Sequence, residues 1–248
     1  MSRKLGAFIN FGIGLSAVFV IVGAVAFGMG QANQAAASAP VKTVAPAKVS
    51  APVAPAKVSA TPVTKPVVAS GKKVLYFTFD DGPDPVWTPQ VLEVLAKYGA
   101  HATFFELGSM QAEHPELKEQ VLAAGNSIGS HSISHAQLTK VSAAKRHHEI
   151  FDGPASKCFR PPYGAENAKV KADIKAAGMR PVLWDVDTLD WQKPGKQAIV
   201  KSILTTVHNG SVILMHDAGG NRSQTVAALD QVLETLQAQG YAFAAMDC

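Results

Sequence analysis

The sequence predicts an α/β fold over residues 73–248, an incomplete or distorted (β/α) barrel of seven parallel strands. Short apolar runs rich in β-branched and aromatic residues alternate strictly with segments of helical character, which is typical of parallel strands joined by right-handed crossovers. Seven such units in about 175 residues are fewer than a complete eightfold barrel contains. The alternative, an open doubly wound sheet, lacks support because no G-x-G-x-x-G follows the first strand.

Each element is predicted from a local signal. Short apolar runs indicate buried strands at Lys73–Phe79, Ala102–Leu107, Ser127–Ser132, Lys157–Arg160, Pro181–Val186, Ser211–Met215 and Tyr241–Met246. Polar caps and terminal glycines indicate helices at Val91–Tyr98, Pro115–Ala124, Ala143–Phe151, Asn167–Ala177, Gln197–Val207 and Thr225–Gln239. Thr88 is the expected N-cap of the first helix and Ser142 that of the third.

The N-terminal part has a different character. Residues 1–4 form a basic stub, and residues 5–30 carry no charged side chain, so as a helix of roughly 39 Å they are long enough to span a membrane. We expect a single-pass signal anchor with the domain outside the cytoplasm, or alternatively a cleaved signal peptide and a secreted protein. Residues 31–72 repeat VAPAKVSA and are expected to be a disordered Pro/Ala/Val/Lys-rich linker.

The charge distribution argues against a nucleic-acid partner. The chain has 23 basic and 19 acidic residues, and six of the basic residues but none of the acidic ones lie in residues 1–71. Residues 72–248 therefore hold 23 less six, or 17, basic residues against all 19 acidic ones, and their net charge is −2. A nucleic-acid-binding domain carries a basic excess, which this part of the chain lacks.

Polar residues collect directly after the predicted strands. After the first, third, fourth, fifth and sixth strands come, in order, Asp80-Asp81, His131 with His135, Arg160, the group Asp185, Asp187, Asp190 and Trp191, and His216-Asp217. In a parallel barrel all these positions lie at the C-terminal end, where barrel enzymes place their chemistry. The sequence therefore predicts a catalytic site at the barrel mouth.

The residue types indicate a metal-dependent hydrolase. His131 and His135, expected one helical turn apart, can direct two ring nitrogens at one point, and one carboxylate of Asp80-Asp81 completes a ligand set with open positions. Zinc suits these ligands, although cobalt, nickel and iron are alternatives. The second carboxylate can act as a base oriented by Arg160, and His216 can act as the acid. Either Asp187 or Asp190 can orient that imidazole.

Five ordered motifs resemble those of the polysaccharide deacetylases, the NodB homology domains of carbohydrate esterase family four. They are TFDDGP at 78–83, HSISH at 131–135, RPPYG at 160–164, DTLDW at 187–191 and LMH at 214–216. The resemblance covers about residues 72–246 and implies a distorted barrel that removes acetyl groups from a sugar polymer. It also implies a divalent metal, most consistent with Zn²⁺, with Co²⁺ or Ni²⁺ as alternatives.

The resemblance assigns each motif residue a role. It implies Asp80 as the general base held by Arg160, and it implies Asp81, His131 and His135 as the metal ligands. For the remaining motifs it implies His216 as the acid tuned by Asp190, the backbone N–H of Tyr163 as an oxyanion donor, and Trp191 and Leu214 as walls of the acetyl pocket.

The expected activity is N-deacetylation of a polysaccharide that contains N-acetylglucosamine, with peptidoglycan ahead of chitin-like chains. The alternatives are an O-acetyl esterase of the xylan type and a carbohydrate-binding module without turnover. The predicted partners are the acetylated polysaccharide and the membrane, while protein partners are left open. Cys158 and Cys248 lie on strands expected to be far apart, so two free thiols are favoured over a disulfide.

Overall fold

The computed structural model describes residues 73–248, which form an α/β domain. Within this range the strands are β1 Lys73–Asp80, β2 Thr103–Glu106, β3 Ser127–Ser130, β4 Cys158–Phe159, β5 Arg180–Pro181, β6 Val186–Asp187, β7 Val212–His216 and β8 Tyr241–Phe243. The helices are α1 Trp87–Lys97, α2 Gly108–Glu113, α3 Pro115–Ala123, α4 Ala143–Phe151, α5 Ala168–Ala176, α6 Lys196–Thr206 and α7 Ser223–Ala238.

The strands form one parallel sheet that does not close. Their order is β5-β4-β3-β2-β1-β7-β6, with β8 paired to the first half of β1, and no ladder joins β5 to β6 within residues 73–248. The predicted incomplete parallel barrel is confirmed. The fifth predicted strand, Pro181–Val186, is instead split into the short strands β5 and β6, because β5 pairs with β4 and β6 pairs with β7, at opposite edges of the open sheet.

Strand periodicity separates two layers around β1. Leu75, Phe77 and Phe79 are fully buried and pack with residues of α1 and α7 such as Val91 and Leu229. Successive side chains of a strand point to opposite faces, so the alternate residues of β1, which end at Asp80, face the barrel interior. The apolar layer therefore holds the helices on the sheet, and the polar layer carries the site.

Two local predictions have different outcomes. Ser142 caps α4 as predicted, with its hydroxyl accepting the N–H of Lys145. The prediction for Thr88 is wrong, because α1 begins at Trp87 and Thr88 lies inside the helix with its hydroxyl donating to Asp217 at 2.6 Å. The short helix α2 was not predicted from the sequence.

The two cysteines are joined, contrary to the expectation of free thiols. Cys158 on β4 and Cys248 form a disulfide, and their Cα atoms lie 5.1 Å apart. The expectation failed because the chain does not end at β8. Beyond Phe243 it crosses the sheet, where Met246 N–H donates to Thr103 on β2, and reaches β4, where Lys157 N–H donates to the Cys248 carbonyl.

The predicted membrane helix at 5–30, the stub at 1–4 and the linker at 31–72 lie outside the described residues. None of the helices in residues 73–248 has the length and apolar character that a membrane span requires.

Candidate active site

The candidate site lies where the strands of the barrel end. Asp80 and His216 are the last residues of the paired strands β1 and β7, and His131 follows β3 directly. Since these strands are parallel, their C-terminal ends meet at one mouth of the barrel. The sequence-predicted convergence of these residues is what the structure shows.

Asp81, His131 and His135 form the one group in residues 73–248 whose side chains are placed to hold a metal ion together. Their candidate ligand atoms all lie within 4.8 Å of one another. The Nε2 atoms of His131 and His135 are 3.7 and 3.4 Å from Asp81 Oδ1. This is the ligand set that the motif resemblance implied.

The spacing of the two histidines predicted that they lie one turn apart on a helix, and this prediction is wrong. Residues 131–135 form a loop in which Ser132 and His135 have positive φ angles of 72° and 58°. Glu149 from α4 fixes this loop by accepting the N–H groups of Ile133 and Ser134 at 2.9 and 2.8 Å. The loop therefore turns His135 back towards His131, and their ring centroids are 5.1 Å apart.

The surroundings of this group fit a metal ion. Asp81 Oδ1 is buried and has no hydrogen-bond partner among the described residues. His131 Nδ1 lies 2.7 Å from the carbonyl oxygen of Arg160, a contact that orients the ring and leaves Nε2 for a ligand. Burial lowers the pKa of His131 to about 3, so the ring is neutral, as a ligand must be.

Asp80 is buried beside this group and is held by Arg160. The Arg160 Nη1 donates to Asp80 Oδ1 at 2.7 Å, and the second oxygen, Oδ2, is 3.7 Å from His131 Nε2. Burial raises the pKa of Asp80 above its ordinary value, although the charge of Arg160 opposes this. Asp80 is therefore a more basic carboxylate than an exposed one, with one oxygen fixed and the other facing the candidate metal site.

His216 is paired with Asp190 on the other side of the mouth. Its Nδ1 lies 2.6 Å from Asp190 Oδ1, and its backbone N–H donates to Asp190 Oδ2 at 2.9 Å. Burial lowers the pKa of His216, but the hydrogen bond and charge of Asp190 outweigh burial, and the net pKa is raised. The imidazolium form is therefore stabilised, as a proton donor needs.

The remaining carboxylates after the fifth predicted strand do not join this pair. Asp187 lines the cavity, but its Oδ1 accepts the backbone N–H of Leu189. Asp185 lies at the opposite end of β7, where its carboxylate accepts the N–H of Val212, the first residue of that strand. The expectation that all these carboxylates reach the mouth is wrong for Asp185, because residues 183–185 form the connection that precedes β6.

A cavity of about 360 Å³ opens at this mouth. It is lined by Asp80, Asp81, His131, His135, Tyr163, Gly164, Trp184, Asp187, Trp191, Leu214 and His216. The residues Tyr163 and Trp191 are 65% and 52% exposed, so they form a solvent-facing rim. Trp184 was missed from the sequence, although a tryptophan three residues before Asp187 was the available signal.

The backbone of Tyr163 is turned by the short 3-10 helix Pro162–Gly164. Tyr163 has a φ of 62°, and its N–H has no acceptor within residues 73–248. Gly164 also has a positive φ, and a Cβ there would come within 2.8 Å of the Trp184 ring. The glycine is therefore required for this turn, and the turn leaves the Tyr163 N–H available beside the cavity.

The barrel and this site define a class of hydrolytic enzyme, and the comparisons with known proteins agree. The family model described as polysaccharide deacetylase matches residues 68–182. The chain is 41% identical over 186 residues to the peptidoglycan-N-acetylglucosamine deacetylase of Bacillus cereus, with 71% of this chain and 87% of that protein covered. It is 35% identical to the chitooligosaccharide deacetylase of Azorhizobium caulinodans, with 71% and 93% covered.

A solved structure shows the same fold. The peptidoglycan deacetylase PdaC of Bacillus subtilis superposes with a TM-score of 0.66 at 36% identity, with 72% of this chain and 90% of that chain covered. The chain belongs to the polysaccharide deacetylase family, carbohydrate esterase family four. It is a polysaccharide deacetylase enzyme, and the resemblance seen in the five motifs is confirmed.

Proposed function

We propose that this enzyme uses a bound divalent metal to remove N-acetyl groups from a polysaccharide containing N-acetylglucosamine, with peptidoglycan ahead of chitin-like chains. The Bacillus cereus relative is named for peptidoglycan and the Azorhizobium relative for chitooligosaccharides, which supports this substrate class. Asp81, His131 and His135 are the ligands. Zinc fits two imidazoles and one carboxylate, and when bound it would lower the pKa of a water molecule and polarise the acetyl carbonyl.

Asp80 is the general base of this proposal. Its Oδ1 is held by Arg160, so Oδ2 is the atom that takes a proton from the attacking water. The buried Arg160 also donates to Thr78 Oγ1 at 2.8 Å and to the carbonyl oxygen of Leu183 at 3.1 Å. These bonds fix the guanidinium, and through it the direction of the Asp80 carboxylate.

The acetyl group is held between a donor and an apolar wall. In this proposal the Tyr163 N–H, which has no acceptor within residues 73–248, is the donor to the carbonyl oxygen, and a fixed donor there stabilises the negative charge of the transition state. Leu214 and Trp191 line the same cavity and receive the methyl group. The exposed rings of Tyr163 and Trp191 offer flat faces to a sugar chain at the rim.

His216 is the general acid that protonates the leaving amine. The Asp190 contact keeps Nδ1 occupied, so the proton is delivered from Nε2. The observation that carries the proposal is that His131 Nε2 lies 3.7 Å from Asp80 Oδ2 and also 3.7 Å from Asp81 Oδ1. A base and a ligand set thereby converge on one point, with a protonated imidazole on the neighbouring strand.

The direct test is acetate release from a panel of acetylated glycans. The panel consists of N-acetylglucosamine oligomers, purified peptidoglycan and acetylated xylan, each with the parent protein, the chelated protein and the protein reloaded with Zn²⁺, Co²⁺ or Ni²⁺. We expect acetate from the first two substrates, loss on chelation and recovery on reloading. Release from xylan alone would show an O-acetyl esterase, and binding without release from any glycan would show a silent binding module. Full activity of the metal-free protein would contradict the metal role.

We further propose that the enzyme is tethered to the cell membrane with its domain outside the cytoplasm. The uncharged run at 5–30 supports this, as does the Cys158–Cys248 disulfide, because disulfides persist in oxidising compartments. The test is protease treatment of spheroplasts, in which the cell membrane is intact but its outer face is accessible, prepared from cells that express the full chain. Digestion of the membrane-bound domain is expected, and a domain in the medium would indicate a cleaved N-terminus. Protection until the spheroplasts are lysed would contradict the proposal.

A further inference from the structure

The chain after β8 forms a segment that we call the C-terminal strap, residues 244–248. The strap crosses the barrel at the end opposite the candidate active site. Ala244 N–H donates to Leu75 O near the start of β1, and Met246 N–H donates to Thr103 at the start of β2. The strap ends at Cys248, which the disulfide joins to β4.

Side chains of the strap pack against a small hydrophobic cluster inside the barrel. Phe105, Cys158 and Val182 form a buried cluster against which Met246 and Cys248 pack. This cluster is separate from the apolar layer between the sheet and the helices. It fills the barrel interior below the site, where a layer of side chains supports the layer above it.

Arg160 rests directly on this cluster. The guanidinium carbon of Arg160 is 4.0 Å from the centroid of the Phe105 ring, and its Nε donates to Val182 O at 3.2 Å. Phe105 can occupy this place only because a glycine faces it, since a Cβ on Gly129 would lie 2.3 Å from the ring. Two of the three buried cluster residues thus contact the arginine that holds Asp80.

The strand that directly precedes Arg160, β4, has few hydrogen-bonded neighbours. β4 has two residues, pairs with β3 through a single register pair, and is followed by the equally short edge strand β5. Because the sheet is not closed between β5 and β6, the described chain supplies no further strand on that side. A covalent link from Cys158, two residues before Arg160, compensates for the short ladder.

We propose that the disulfide-anchored C-terminal strap is a positioning element for Arg160 and, through it, for the Asp80 carboxylate. This inference rests on the proposed role of Asp80 as the base. Breaking the disulfide should leave substrate binding and the zinc content of the loaded protein intact, because neither Cys158 nor Cys248 lines the cavity and all three candidate ligands are still present. It should lower the rate of the chemical step, because a small displacement of a catalytic group is enough to slow a reaction strongly.

The test compares the parent enzyme with the double variant Cys158→Ser/Cys248→Ser in the zinc-loaded full chain. We expect kcat for acetate release to fall about tenfold, while KM and the zinc content stay within about twofold of the parent. The parent reduced with a phosphine should behave in the same way. In that reaction the S–S bond breaks, each sulfur gains a proton from water, and the phosphine is oxidised to its oxide. Reoxidation should restore kcat.

A double-mutant cycle separates positioning from a general loss of structure. In an Arg160→Lys background the guanidinium that rests on Phe105 is absent, so breaking the disulfide should change kcat by less than about twofold. Met246→Ala removes a side chain that packs against the cluster but keeps the disulfide. It should lower kcat in the protein that has Arg160 and leave kcat unchanged in the Arg160→Lys background. This variant also provides the test if the cysteine-free protein does not fold.

The results that would overturn the inference are specific. One is an unchanged kcat in a cysteine-free protein whose fold is intact by circular dichroism. Another is an equal fall in the parent and the Arg160→Lys background, or a change confined to KM. Failure of the proposed function would instead appear in the parent itself, as an absence of acetate release.

Discussion

Asp80 and His216 are register partners on the parallel strands β1 and β7. The ladder pairs five residues of β1, 76–80, with five of β7, 212–216, and both strands end at the site. Neighbouring strands are about 4.8 Å apart, so the proposed base and acid flank one substrate group from adjacent strands. Their separation is therefore set by the backbone hydrogen bonds of the sheet and does not depend on a loop.

Asp80→Asn should abolish most of the turnover and keep the metal. The amide occupies the same space and still accepts from Arg160, but it cannot take a proton from water. We expect kcat to fall by a factor of about 10² to 10⁴, with zinc content unchanged, measured by acetate release and by metal analysis. Asp152→Asn is the matched control, because that carboxylate is exposed directly after α4 and lies outside the cavity. Parental activity in Asp80→Asn would refute the assignment of the base.

His131→Ala should weaken metal binding. This ring contributes one of three candidate ligands, and it is also the one that Arg160 orients through its carbonyl. We expect the zinc affinity, measured by calorimetric titration of the chelated protein, to fall by at least about 100-fold. His147→Ala is the control, because this exposed ring stacks on Phe151 away from the cavity. Equal affinities of the two variants would contradict the site.

Asp190→Asn should move the basic limb of the pH dependence of kcat to lower pH. Burial lowers the pKa of His216, and the hydrogen bond and charge of Asp190 raise it more strongly. Without that charge the pKa of His216 falls, so the acid form is lost at a lower pH. We expect a shift of about one unit or more in a kcat profile between pH 6 and pH 10.

Asp187→Asn is the control for this experiment, because Asp187 lines the same cavity without contacting His216. Its basic limb should match that of the parent. A shift in Asp187→Asn and none in Asp190→Asn would reverse the assignment. The residue pattern by itself left both carboxylates open, since both follow the same predicted strand. The motif resemblance implied Asp190, and the path of the chain after β6 places Asp190 against His216.

Local signals predicted the elements whose causes are local. Ser142 caps α4 because its partner, Lys145, is three residues away. Thr88 has the same kind of sequence signal, yet its hydroxyl donates to Asp217, which lies 129 residues further along the chain. A competing partner from a distant part of the chain cannot be predicted from a local pattern, and this is why one cap was predicted correctly and the other was not.

The site was predictable for a related reason. In a parallel barrel every strand delivers its following residue to the same end, so Asp80, His131 and His216 could be placed together without knowing any distance. The loop that turns His135 depends on Glu149 from α4, and the disulfide depends on how the chain runs after β8. Both are tertiary features, and the sequence reading was wrong about the helix turn and about the thiols.

Removal of the disulfide should also lower global stability. It closes a loop with a sequence separation of 90 residues, so the reduced chain gains entropy when it unfolds. We expect Cys158→Ser/Cys248→Ser to lose about 2–5 kcal/mol of unfolding free energy in urea titrations. The parent titrated in the presence of a phosphine should approach the variant. A variant as stable as the oxidised parent would show that the disulfide contributes nothing to the free energy of unfolding.

Asp217 lies against the turn that follows β1 and carries the proposed ligand Asp81. It is fully buried, its Oδ2 accepts from Thr88, and a Cβ on Gly82 would lie 2.6 Å from either carboxylate oxygen. Burial raises the pKa of Asp217 to about 8, with the charges of Glu106 and Asp81 adding to the effect. Burial also raises the pKa of Glu106 to about 7. Both carboxyls therefore hold a proton in the folded protein at a pH where an unfolded chain releases it.

The stability of the metal-free protein should consequently fall as the pH rises. Between the ordinary pKa of an aspartate, 3.8, and the value of about 8 for Asp217, the folded state binds the proton and the unfolded state does not. Asp217→Asn cannot ionise, so its melting temperature relative to the parent should rise between pH 5 and pH 8, by several degrees. The measurement is thermal unfolding of both chelated proteins across this range, with Asp152→Asn as the exposed control. Parallel curves for the parent and Asp217→Asn would show that Asp217 is ionised in the folded protein.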